Sequence, residues 1–415
     1  MKHDIGNALV VREARKSDFK AIIKHAEIVH GKDGGLLTNR ILKYHPNFPP
    51  KDNFIVVDSQ TGKVVAFLCL LRSTCILNSI EVPVGHMEIV GTLPDYRNRG
   101  LIRKLNALFE KRAEEYQLPL LVIAGIPYYY RTFGYEYAIP LGGLLTVATE
   151  GIPMLKKEEL EPVTIAEVTN QTVNQYLAAR KKHNSYLDFY RKLTAEELLF
   201  LQRGKFGQEL VHNFFIIKEN QALVGSFYLK VDWGSLQVGE LWIQNLSHLP
   251  SVLRYIKAIA KRMKLPIRIE PPSSKALYQA LEGFMRSRFV RGYAWYVRIP
   301  SIVNFLETIR PVMEHRIAHS ELKDLTDSLR ISWYRAGVEL NFKKGKLKQI
   351  IEIKRENIMD MHVGIPFPMI YQLLMGYHSL DELKQIYPDV GVQVMKAPIV
   401  RVLFPKIRAQ LSPEF

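Results

Sequence analysis

Apolar and polar positions in the first third of the chain follow two rhythms in turn. Residues 8–14 alternate as a strand does. Ser17 then precedes Phe19, Ile22, Ile23 and Ala26, a helical spacing that predicts a helix with Ser17 as its cap. Residues 53–57 and 64–71 are apolar strands around a turn at 59–62, and 81–93 contains a longer strand. Residues 101–117 carry the helical period again, and 118–124 form an apolar run short enough for a buried strand. Strands and helices in this mixed order predict an α/β sheet with helices on its faces.

The same pattern returns further along. Asn53-Phe54-Ile55-Val56-Val57-Asp58 is echoed by Asn213-Phe214-Phe215-Ile216-Ile217-Lys218, and Phe67 by Phe227, at a constant offset of 160 residues. Residues 163–168 with the helical run 172–183 echo the chain's opening, and 240–243 stand where the long strand would fall. The repeat is worn, and it implies a duplicated domain. The last third begins near 300–305. It offers strands at 333–341 and 347–354 around the turn 343–345, then helices at 366–375 and 380–387, a small α+β domain.

Composition narrows the class without naming it. Apolar residues make up 47% and charged residues 24% of 415, an ordinary globular balance for about three domains. Cys69 and Cys75 are the two cysteines, too few for a disulfide framework and in keeping with a reducing compartment. The first residues lack a signal-type apolar core, and no run approaches the roughly 18 apolar residues of a membrane helix. The expectation is a soluble cytoplasmic protein without a membrane span. The net charge of +16 divides as +4 over 1–150, +9 over 151–300 and +3 over 301–415. A basic middle third reads first as a solvated surface. Its runs Arg180-Lys181-Lys182-His183 and Lys261-Arg262 lack the interleaved aromatics of a nucleic-acid platform, so nucleic acid is not the expected partner. His25, His30 and His86 match no zinc spacing, and no metal is expected.

The candidate chemistry lies where the long strand gives way to the next helix, at Tyr96-Arg97-Asn98-Arg99-Gly100. A diphosphate needs converging donors, and the first N–H groups of a helix supply them together with a favourable dipole. Gly100 removes a side chain from the approach, and Arg97 and Arg99 add forked cationic donors. No Gly-x-Gly-x-x-Gly, P-loop or Gly-x-Ser-x-Gly element competes with this reading. The segment Ile89-Val90-Gly91-Thr92-Leu93-Pro94-Asp95-Tyr96-Arg97-Asn98-Arg99-Gly100-Leu101 resembles the coenzyme A-binding segment of the GNAT acetyltransferase superfamily. With Tyr130-Arg131-Thr132-Phe133-Gly134-Tyr135 and the final Glu414-Phe415, the whole chain resembles the enhanced intracellular survival (Eis) family. Ile102 departs from the small residue that the wider superfamily favours there.

The resemblance implies two GNAT-like domains in tandem, 1–150 and a degenerate 151–300, followed by a sterol-carrier-like α+β domain at 301–415. It implies acetyl-coenzyme A as cofactor. Val90, Gly91 and Thr92 would hold the pantetheine arm. Asn98, Arg99, Gly100, Leu101, Ile102 and Arg103 would wrap the pyrophosphate, and Gly125 and Ile126 would lie near the thioester. Tyr130 would be the general acid and the Phe415 terminal carboxylate the general base. The acceptor would be a primary amine of an aminoglycoside, polyamine or lysine side chain, met by Glu414 and by Asp33 in a loop at 31–37. A homo-oligomer, hexameric as in the family, is expected. The bare residues carry less: Tyr130 is one of five tyrosines between 128 and 137, and a terminal Phe is ordinarily frayed. An alternative is a lipid-binding protein working through its last domain, with the acetyltransferase vestigial.

Overall fold

The computed structural model describes residues 2–4, 8–156, 158–290, 292–354 and 361–414. Among them the strands form three sheets of ten, seven and five. The first sheet runs Lys2–Asp4, Leu9–Glu13, Asn53–Asp58, Val64–Leu77, Ile80–Thr92, Leu120–Ile123, Tyr293–Arg298, Glu136–Leu141. Phe189–Lys192 pairs with the far end of Val64–Leu77. The second runs Met285–Val290, Leu144–Val147, Ile267–Ile269, Ser235–Ile243, Ala222–Asp232, Asn213–Glu219, Thr164–Glu167. The third contains Lys346–Ile353, Gly337–Lys343 and Asp327–Ser332.

Two strands are exchanged. Leu144–Val147 leaves the first third of the chain and enters the second sheet, between Ile267–Ile269 and Met285–Val290. Tyr293–Arg298 returns and sits in the first sheet between Leu120–Ile123 and Glu136–Leu141. Cuts at 150 and 300 therefore do not yield self-contained sheets. The hydrophobic cores are shared in the same way. Ile22, Ile55 and Phe67 pack in one cluster with Tyr176, Leu198, Phe214 and Tyr228. Val82, Val84, Leu120, Trp295 and Val297 pack with Phe305, Val312, Leu340 and Leu403 of the last third.

The repeat is kept at the level of register. Phe54 faces Leu68 and Ile55 faces Phe67; Phe214 faces Tyr228 and Phe215 faces Phe227, each pairing displaced by 160. Both long hairpins carry a β-bulge on their second strand, marked by Ile89 (φ 54°) and Glu240 (φ 49°). A bulge swells one strand against its neighbour and re-aims the residues beyond it.

Local signals near the chain's start are corrected. The N-cap of the first helix is Asp18 and not Ser17, and its side chain does not cap the helix: the Asp18 carboxylate accepts from the Arg15 backbone N–H at 2.7 Å and pairs with Arg12 at 2.7 Å. Residues 31–37 are not a loop. Helix Phe19–Tyr44 continues through them and breaks its dihedrals at Gly31 alone (φ 78°, ψ −178°), so Asp33 is helical. In the last third the expected strand at 333–341 lies instead at Gly337–Lys343, with Asp327–Ser332 before it.

Candidate active site

Strand Ile80–Thr92 runs parallel to Leu120–Ile123, but pairing extends only from Val84–Leu120 to His86–Val122. Beyond His86 the two strands part. On the other side, the bulge removes Ile89 and Val90 from the register with Val64–Leu77, which pairs Phe67 with Gly91 and Cys69 with Glu88. A wedge opens between the strand ends, with Val90, Gly91 and Thr92 on one side and Ile126, Tyr129, Tyr130, Thr132 and Phe133 on the other.

The turn closes the wedge's outer end. Asn98 (φ 61°) and Gly100 (φ 68°) are left-handed, and Gly100 is the N-cap of helix Leu101–Glu115 with no side chain capping it. The helix's first N–H groups are thus left for a ligand. A β-carbon at 100 would meet no atom, so conformation rather than crowding calls for glycine. The turn is braced from outside: Tyr96 donates to Asp58 at 2.7 Å, and Arg99 donates to the Asp95 carbonyl at 2.9 Å. Helix Leu101–Glu115 holds its start in place by burying Leu101, Leu105 and Phe109 against the sheet.

Here the structure gathers most of the residues singled out in the sequence. A cavity of about 690 Å³ is lined by Val90, Gly91, Thr92, Asn98, Arg99, Gly100, Leu101, Ile102, Arg103, Ile126 and Tyr130, together with Val29, Tyr129 and Phe133. Gly125 lies behind Tyr130. A β-carbon there would stand 2.0 Å from the Tyr130 ring, so only glycine lets the ring lie flat over the strand end. The Gly125 carbonyl accepts from Tyr293 at 2.9 Å, a residue of the exchanged strand. Free helix N–H groups, three arginines and a glycine-cleared approach fit a diphosphate, and the groove between the strands fits the arm that leads from it.

Tyr130 is 5% exposed, edge-on to Tyr129 at 5.1 Å and tilted against Tyr296 at 5.6 Å. Burial first, then Tyr129, Glu88 and Tyr296, push its phenol above the ordinary range. A phenol near 10 is already a weaker acid than a thiol near 8.5. Full proton transfer from Tyr130 to a free thiolate is therefore uphill, and what its O–H can offer a leaving sulfur is a hydrogen bond.

Sequence reasoning missed Glu88. It is the acid within the apolar run Val84–Val90, and that was the available signal. Burial and then Glu414 raise its carboxyl to about 8, against a lowering by Arg191.

Glu414 arrives by way of the second unit. The C-terminal segment pairs in parallel with Phe189–Lys192, joining Phe189 to Ala409 and Tyr190 to Gln410. Arg180 donates to the Ser412 carbonyl at 3.2 Å and the fully buried Arg191 to the Pro413 carbonyl at 2.8 Å. Lys230 meets the Glu414 carboxylate at 3.5 Å and Asp232 at 3.3 Å. Burial lowers the Lys230 ammonium's pKa, but Glu414, Asp232 and Glu270 together raise it above the ordinary value. The chain's last described residues are thus held and not loose. Phe415 lies outside the described residues. Asp33 reaches the same acidic neighbourhood through Glu209, whose carboxyl is raised by burial, then by Asp33 and Asp232. Arg180 and His183, read as part of an exposed basic run, are buried, and Arg180 is paired with Glu240 at 2.7 Å.

Residues 10–138 match the family described as acetyltransferase (GNAT) domain. Among solved structures, the chain is similar to a conserved protein from Enterococcus faecalis described as a probable N-acyltransferase. The two share 13% identity, 98% of this chain and 100% of that one are covered, and the TM-score is 0.70. A GCN5-related N-acetyltransferase from Anabaena variabilis matches at 14% identity over 98% of each chain, TM-score 0.66. Eis1 from Mycobacterium abscessus matches at 8% identity over 98% of this chain and all of its own, TM-score 0.61. At such identities these likenesses establish the shared fold. No curated protein matches the sequence. The domain and its wedge define an acyltransferase that draws on an acyl-coenzyme A. Its first third is a GNAT acetyltransferase domain, and the chain is an N-acetyltransferase. No helix among the described residues is long and apolar enough to cross a membrane.

Proposed function

We propose that the protein moves an acetyl group from acetyl-coenzyme A to a primary amine, as an Eis-like enzyme. The observation that carries this reading is the wedge, where an uncapped helix start and a buried phenol line one cavity. The bound cofactor supplies an acetyl thioester. Arg97, Arg99, Arg103 and the N–H groups of residues 101–103 hold its diphosphate, and the backbone of Val90, Gly91 and Thr92 orients its arm. In this reading backbone N–H groups at the bulge meet the oxyanion. Tyr130 donates to sulfur as the C–S bond breaks.

An amine of ordinary pKa near 10.4 costs about 4–5 kcal/mol to neutralise at pH 7, so a base must take its proton. The resemblance assigns this to the Phe415 carboxylate. Glu88 is a second reading, favoured by its value of about 8 and its place beside Glu414. Acidic groups at Glu414, Asp33, Glu209 and Asp232 suit a cationic acceptor, such as a polyamine, aminoglycoside or lysine side chain. A sterol-carrier-like last domain and a homo-oligomer, hexameric by resemblance, belong to the same proposal. A lipid-carrying role is the weaker reading: the cavity where the last third meets the first sheet, between Phe305, Leu374 and Phe189, has about 10 Å³.

One paired experiment tests the assignment. Deleting Phe415 should abolish acetylation of a diamine while coenzyme A still binds; Glu88→Gln should lower it about 10²–10⁴-fold if Glu88 is the base. Undiminished turnover in the truncated protein removes the terminal carboxylate from the mechanism, and undiminished turnover in the Gln variant removes Glu88.

A further inference from the structure

A second cavity, of about 180 Å³, opens between the later half of helix Phe19–Tyr44 and the loop after helix Ala195–Leu201; Asn39, Arg40, Tyr44, Arg203 and Gln208 line it. Arg40 is 7% exposed. One of its terminal nitrogens donates to the Leu210 carbonyl at 2.7 Å, and its guanidinium lies 5.5 Å from the Phe200 ring centre. Among the described residues its buried Nε has no hydrogen-bond partner. Among the described residues no carboxylate forms an ion pair with it. Burial alone lowers its pKa, to about 10. Other buried guanidinium groups of this chain have acids: Arg112 has Asp52 at 2.9 Å, and Arg180 has Glu240 at 2.7 Å. A buried cation without a counter-charge is strongly disfavoured unless something supplies the anion. At the cavity's mouth the exposed Arg203 stacks on Tyr44 at 4.2 Å, which pre-positions a second guanidinium. Glu209 also borders the space, and its carboxyl is raised by burial, then by Asp33 and Asp232.

We propose that this cavity is an anion subsite in which Arg40 anchors and Arg203 closes on a carboxylate or phosphate group. Its volume, against about 30 Å³ for a water, admits such a group with part of its hydration. Two sources share that chemistry, a free oxyanion and an anionic group on the amine acceptor. In the second case the acceptor is zwitterionic, its amine drawn to the acidic groups around Lys230 and its anion to Arg40. Only that second case rests on the acetyl-transfer reading.

The test titrates inorganic phosphate into the full chain with coenzyme A present, so that Arg97, Arg99 and Arg103 are already covered, and follows the unfolding temperature. A saturable rise is expected in the wild type. It should vanish in Arg40→Met and be weakened at least several-fold in Arg203→Ala, which sits at the exposed rim and leaves the fold alone if the buried change does not. No rise in the wild type, or the same rise in Arg203→Ala and Arg40→Met, overturns the proposal. The source is then read from kinetics with an α,ω-diamine and the ω-amino acid of equal length. A KM about tenfold lower for the amino acid, lost in Arg203→Ala, places the anion on the acceptor; equal KM values beside intact phosphate binding support the free oxyanion. If neither amine is acetylated, the acetyl-transfer reading fails, while the phosphate titration still decides this site.

Discussion

The two long hairpins of this chain are built on one register and end differently. In the first, Val64–Leu77 with Ile80–Thr92, the bulge at Ile89 opens onto a cavity, and burial and Glu414 raise the carboxyl of the neighbouring Glu88. In the second, Ala222–Asp232 with Ser235–Ile243, the bulge residue is itself an acid, Glu240, and Arg180 grips it with bonds of 2.7–3.0 Å while Tyr176 donates to it at 3.2 Å. The Tyr228 ring fills the space beside Gly239, where a β-carbon would stand 2.0 Å away. The helix starts differ as well. Gly100 turns left-handed before Leu101, whereas Leu249–Met263 continues directly from a 3-10 turn with Pro250, which has no N–H to offer, in its first turn. A bulge thus makes an opening, and the side chains around it decide whether the opening becomes a site or a buried ion pair. The second unit has kept another task, holding the C-terminal segment through Arg180, Arg191 and Lys230.

Substitutions on the two sides should separate chemistry from stability. The largest effect is expected from Tyr130→Phe, which should lower turnover about 10²-fold or more and leave the KM for the cofactor nearly unchanged. Equal rates in steady-state kinetics would reduce Tyr130 to packing. Across the repeat, Glu240→Gln should cost stability more than chemistry. Leaving Arg180 buried without its counter-charge costs about 3–5 kcal/mol, readable as a lower urea midpoint, with turnover per folded molecule falling far less than in Tyr130→Phe. Gly100→Ala is smaller. Its left-handed φ of 68° costs an L-residue about 1–2 kcal/mol, and calorimetry should show coenzyme A binding weakened by about tenfold.

A last effect is a pH dependence common to both units. Burial lowers His25 to about 4 and His45 to about 3, and holds His86 and His212 well below the ordinary 6.5. Because the folded values are depressed, these groups contribute stability that is complete above pH 6.5. It drains away as the pH falls from 6.5 toward 4, where the unfolded chain takes up protons that the folded chain refuses. Unfolding midpoints measured from pH 7.5 down to 4.5 should decline across that window.

The features legible early were local. The turn at Arg97–Gly100 and the ring at Tyr130 announced themselves because a helix start and its glycine are a few residues apart. The repeat showed itself because apolar alternation survives duplication. Asp33 was misplaced because Gly31, Gly34 and Gly35 look like loop, although one of them suffices to bend a helix that resumes at once. Glu88 was passed over because a strand pattern gives which positions alternate and not which strand ends part.

Period, turn chemistry and the order of elements come from the chain's own succession of residues, since each rests on contacts within a few positions. Partnership does not. The exchange of Leu144–Val147 for Tyr293–Arg298, the meeting of Arg180 with Glu240 sixty residues on, and the route of the tail past Arg191 to Glu414 depend on contacts across tens to hundreds of residues. A short apolar strand pairs equally well with many others until the whole core is packed, and a lysine or arginine looks solvated until the fold surrounds it.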